Sequence, residues 1–140
     1  MAIIQTRKKN VCRITKRKSN VNNKKCDMDA FNYQQKVAMM RILLDIIHAD
    51  GRIDTREVFY FNQLKEKFEM PEDSHKDVEG KKSLMALAQI KMFDKEQKDY
   101  FADLMANMIV IDEDIDANEV LIYDVVKEFA CIDKNFDKQV

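Results

Sequence analysis

Apolar residues recur along this chain at spacings of three and four, the period of an α-helix with one buried face. Val37, Met40, Leu44 and Ile47 form one stripe, with Leu43 beside it, and predict a helix over about residues 29–48. Val58, Phe61, Leu64 and Phe68 predict a second over about residues 54–69. Pro71 and the polar run behind it break the chain, and a weaker helical stretch over 74–80 has Gly80 as its stop. Leu84, Leu87 and Ala88 mark the apolar stripe of a helix over about 83–91. Phe101, Leu104, Met105 and Met108 mark another that starts near Asp94, where Asp94 and Gln97 have the spacing of a capping box. Val120, Tyr123, Val126 and Ala130 mark a last helix from about residue 116. No segment alternates convincingly with period two, so the pattern predicts an all-α fold, a compact helical bundle with short turns. Most of the nine methionines fall on these stripes, where core filling is the default and a Met-rich groove for partner helices the alternative. Phe59 and Phe68 are expected in the core by the same default.

The bundle carries an internal repeat. Residues 50–58, DGRIDTREV, align with residues 112–120, DEDIDANEV, at an offset of 62. Identities fall at the first Asp, the Ile, the second Asp, the Glu and the Val. Farther out, Lys65 and Glu66 match Lys127 and Glu128, Phe61 matches Tyr123, and Leu43, Ile46 and Ile47 match Met105, Met108 and Ile109. Each unit reads as helix, acidic turn, helix, and two such units predict a pseudo-symmetric pair.

The first turn resembles the end of an EF-hand loop. With Gly51 at loop position 6 and Glu57 at position 12, positions 1 and 3 fall on Ile46 and His48. In the second copy they fall on Met108 and Val110, and Glu113 replaces the turn glycine. A calcium loop needs oxygen ligands at those places, so neither turn is a standard EF-hand. Helix capping accounts for much of the motif. Asp54 with Glu57, and Asp116 with Glu119, have capping-box spacing, worth about 1 kcal/mol per cap. Gly51 suits a left-handed helix end, and Ile53 and Ile115 are expected to tuck the turns into the core. Capping does not explain Asp50, Asp112, Glu113 and Asp114, because clustered like charges cost stability unless a cation offsets them. Two readings follow. The acidic residues serve as caps alone, or Asp50, Asp54, Glu57, Asp112, Asp116 and Glu119 also share a divalent ion where the turns meet. Hard oxygen donors suit calcium, magnesium or manganese, bound weakly, on the order of 10⁻⁴–10⁻³ M.

Charge divides the chain. Residues 1–26 hold nine Lys or Arg and no acid, so the net charge of −1 balances a +9 head against a −10 remainder. The head, residues 1–27, lacks a helical stripe and reads as a disordered basic tail. It is a leader ahead of a native start at Met28, where the composition changes, a native but nonspecific tail, or a functional segment such as a phosphate-binding arm or an organelle transit peptide. Residues 28–140 form the single domain. The acidic body argues against nucleic acid as the partner. Two Gly and one Pro fit helices joined by short turns. Three scattered cysteines argue against a disulfide framework and a zinc knuckle, and a reduced cytoplasm is the simplest compartment. No apolar run reaches membrane-spanning length.

The segments LLDIIHADGRIDTREVFYFNQL and LMANMIVIDEDIDANEVLIYDVV together resemble the TerB family of tellurite-resistance proteins and the related N-terminal domain of DjlA co-chaperones. The resemblance covers about residues 28–133. The second segment departs from the family pattern at Glu113, where glycine is usual, and no His-Pro-Asp motif of a J domain is present. The resemblance implies a bacterial cytoplasmic protein linked to stress or metal-oxyanion resistance. Its metal positions would be Asp50, Asp54, Glu57, Asp112, Asp116 and Glu119, and its partner another protein or a multi-protein complex. No Ser/His/Asp set, Cys–His pair or Gly-rich phosphate loop points to an enzyme. The sequence therefore supports a non-enzymatic binding module with weak ion binding. The alternative is an interaction module whose turns only cap helices.

Overall fold

A computed structural model describes residues 30–111 and 113–136 of the chain. Among these residues the fold is all-α, with six α-helices: α1 Tyr33–Ile47, α2 Thr55–Lys67, α3 Ser74–Gly80, α4 Ser83–Lys91, α5 Lys95–Val110 and α6 Ala117–Ala130. Helix α1 packs against each of the other five, α4 most extensively. The sequence pattern assigned α1 one apolar face. The structure buries Val37, Ala38, Met39 and Met40 in succession, then Ile42, Leu43, Ile46 and Ile47. A helix apolar on most of its circumference belongs inside a bundle rather than on its surface. Each buried Val, Met, Ile or Leu among them contributes roughly 1.5–3 kcal/mol, which makes α1 the core of the molecule.

Local chemistry sets where the helices begin. Asn32 opens α1 with a full capping box: its side chain accepts from the Gln35 amide at 2.8 Å, and its own amide donates to Gln35 Oε1 at 2.9 Å. Asp94 and Gln97 open α5 in the same way, at 2.8 and 3.0 Å. Gln97 then donates from Nε2 to the Ala30 carbonyl, tying the two helix starts together. Phe31 completes that joint, with its ring 5.5 Å from both Phe93 and Tyr100.

Core occupancy follows the expected stripes in α2, α5 and α6, where Leu64, Phe68, Phe101, Leu104, Met105, Met108, Tyr123, Val126 and Ala130 are buried. Three expectations fail. Phe59 points outward and is exposed. Ile53 is exposed as well, because the first turn lies on the surface, whereas Ile115 packs against the core. In α4 the core takes Ala86 and Ile90, and Leu84 and Ala88 face out. Cys131 is disulfide-bonded. The basic head, residues 1–27, lies outside the described residues. No described helix is long and apolar enough to cross a membrane.

Candidate functional site: acidic turns and an apolar face

Each acidic turn is built by its backbone first. After α1, the Gly51 amide donates to the His48 carbonyl at 3.2 Å, and Gly51 sits at φ +78°. After α5, the Glu113 amide donates to the Val110 carbonyl at 3.0 Å, and Glu113 sits at φ +65°. These positions are 62 residues apart, so a glutamate takes the left-handed conformation that a glycine takes in the first turn. The two following helices also end alike. Glu69 and Cys131 have φ of 56° and 60°, and the Met70 and Ile132 amides reach back to the Lys65 and Lys127 carbonyls at 3.1 and 2.9 Å. Among the described residues, the four with positive φ thus form two pairs at the same offset.

The carboxylates divide into two groups. Asp50 accepts from the Arg52 amide at 2.9 Å, an Asx-turn that shapes the loop. Asp54 and Asp116 are N-caps with nearly identical backbone angles, accepting from the Arg56 and Asn118 amides at 2.7 Å. These bonds go to the second helical residue, whereas a capping box uses the third. The Arg56 side chain also approaches Asp54, and its hydrogen bonds hold the Asp54 carboxyl below its ordinary range. Glu57 and Glu119, in contrast, point inward at 1% and 0% exposure. The capping-box spacing predicts that they reach back to the cap, and neither helix start has a capping box. Asp112 lies outside the described residues. Within those residues, no three His, Cys, Asp or Glu side chains group to hold a metal ion, so Asp50, Asp54, Glu57, Asp116 and Glu119 do not gather into one site. The helices explain the missing EF-hand ligands: α1 continues through Ile46 and α5 through Met108, both fully buried.

A second feature was present in the sequence only as the alternative of a Met-rich surface for partner helices. Helices α4 and α6 lie side by side, and their outward faces are apolar. On α4, Leu84, Met85 and Met92 are 66%, 59% and 81% exposed, with Ala88 between them. On α6, Leu121, Val125 and Phe129, one turn apart, are 58%, 50% and 41% exposed. Lys91 Nζ lies 5.6 Å from the Phe129 ring centroid and joins the two stripes. A contiguous exposed apolar patch of this kind marks an interaction surface more often than chance exposure. Its other signal in the sequence is that α4 is apolar nearly all round, with Leu84, Met85, Ala86, Leu87, Ala88 and Ile90 in one short helix.

An open groove of about 780 Å³ also runs between α2 and α5, past Tyr60, Leu64, Tyr100, Asp103 and Asn107. Burial raises the Tyr60 hydroxyl above its ordinary pKa, and Asp103 is engaged by Lys134 at 2.6 Å. The groove offers a hydrogen-bonding surface of phenol and amide groups.

No family model matches the chain. No curated protein matches it. Among solved structures, it is similar to the crystal structure of a protein of unknown function, PG1108 from Porphyromonas gingivalis W83. The TM-score is 0.64 at 23% identity, over 76% of this chain and 90% of that one. At that identity the likeness shows a shared helical fold alone.

Proposed function

We propose that this chain is a non-enzymatic TerB-like helical module that works by binding other protein surfaces through its α4/α6 face. The observation that carries this reading is the apolar patch of Leu84, Met85, Met92, Leu121, Val125 and Phe129, left in water by an otherwise well-packed bundle. Burying such side chains is favourable at roughly 25 cal/mol per Å². Methionines add an adaptable surface that accommodates a partner's shape. The acidic turns act in this reading as scaffolding: they cap α2 and α6 and set the angle between each helix pair. The matched left-handed residues and cap angles support a duplicated helix–turn–helix unit. A bacterial, stress-related setting in the cytoplasm is part of the proposal and rests on the family resemblance. A free-thiol count on the native protein tests the compartment.

The test compares three baits: the native chain, a face variant (Leu84→Glu with Leu121→Glu) and a turn variant (Asp50→Asn with Asp116→Asn). Partners that follow the native and turn baits, and leave the face bait, support the reading. Partners lost from the turn bait alone contradict it.

A second reading, ion binding at the acidic turns, rests on the family resemblance and on the carboxylates clustered in residues 50–57 and 112–119. Titration with calcium, magnesium and manganese, followed by backbone amide shifts, tests it. Shifts confined to residues 50–57 and 112–119 at ion concentrations on the order of 10⁻⁴–10⁻³ M favour ion binding. A flat response through that range leaves the turns as caps.

A further inference from the structure

Building on the α4/α6 docking surface proposed above, we infer that its occupant is a second copy of the same chain. The argument is charge complementarity. Lys81 and Lys82 stand just before α4 and Lys91 ends it, and residues 81–91 hold no acid, so α4 is the basic half of the face. On α6, exposed Asp124 and Glu128 lie one turn apart on the stripe next to Leu121, Val125 and Phe129, an acidic side. The face is therefore apolar in the middle, basic at the ends of one helix and acidic along the other. A two-fold axis through its centre sets α4 of one copy on α6 of the other, twice over. Each basic side then meets an acidic one, which is the self-complementarity an isologous dimer requires. The apolar centre supplies the driving force, and the charges fix register and disfavour the alternative that sets α4 on α4 and α6 on α6, like charge on like. The chain's own head is a poorer occupant. Its nine basic residues oppose the lysines of α4, and it has no apolar stripe to lay along the face.

The test is sedimentation of the full chain across a concentration series reaching the high micromolar range. The mass rises from the 16.5 kDa of one chain to twice that value. Leu84→Glu with Leu121→Glu replaces exposed side chains, leaves the circular dichroism unchanged and weakens dimerisation roughly a hundredfold. Reversing the basic side (Lys81→Glu with Lys82→Glu) or the acidic side (Asp124→Lys with Glu128→Lys) weakens it roughly tenfold. Combining all four reversals restores it to within roughly threefold of the native chain. A monomer at every concentration overturns the proposal. So does a dimer indifferent to the face variant, or a fourfold reversal weaker than either pair. If the chain is monomeric but the face bait still loses a partner, the docking surface stands with a different occupant and the dimer falls. If the chain is monomeric and no partner is lost, both readings fall.

Discussion

At the residue scale, the clearest tension lies in the second turn. Glu113 holds a backbone conformation that costs an L-residue about 1–2 kcal/mol, at the place where the first turn has Gly51. Glycine at that site costs more unfolded-chain entropy, so the net gain from Glu113→Gly is roughly 0.5–1 kcal/mol of stability, measurable by urea unfolding. Gly51→Ala runs the other way, by about 1 kcal/mol. A Cβ there meets nothing within 4 Å, so the cost is conformational and not steric. Asp54 makes a pH prediction. Its folded pKa is depressed by Arg56 below the ordinary value of 3.8. A depressed carboxylate contributes stability that is fully present above its unfolded pKa and is lost as pH falls through the folded one. Asp54→Asn retains a capping side chain but does not titrate. The stability gap between native and variant chains therefore narrows as pH drops below about 4, a trend that thermal melts across pH 2–6 would follow.

At the element scale, the caps and the α4 face are the points to test. Asp116→Ala removes the N-cap of α6 and should cost about 1 kcal/mol. On α4 the two faces differ sharply. Ile90→Ala should cost about 2–5 kcal/mol, and Leu84→Gln less than about 0.5, in the same unfolding assay. Equal costs would mean that α4 is rotated from the orientation described here. The helices themselves were legible in the sequence, because period-3.6 stripes and cap signals such as Asp94 with Gln97 are local. The rotation of α4 was not. A nine-residue helix with apolar residues on every side has no preferred face until α1 covers one of them. Glu57 and Glu119 were misread for a related reason. Capping-box spacing describes where a side chain can reach, and burial is decided by what packs above it. Ile53 shows the same limit, since only the tertiary position of the turn leaves it in water.

At the scale of the whole molecule, α1 organises the bundle by touching every other helix, and α2 and α6 leave the acidic turns from identical caps. The all-α class of fold was readable from the chain. The α4/α6 face was not, because it arises where two helices distant in sequence lie side by side. The exposed methionines give the most direct test of that surface. Met85 and Met92 stand on the face, whereas Met39, Met40, Met105 and Met108 are fully buried. Oxidative footprinting should compare sulfoxide formation at these positions in intact cells and in dilute purified protein. A covered face means that Met85 and Met92 oxidise readily in the dilute chain and slowly in cells, with the four core methionines slow in both. If Met85 and Met92 oxidise as fast in cells as in dilute solution, the face is bare where the protein works, and the interaction-module reading is wrong.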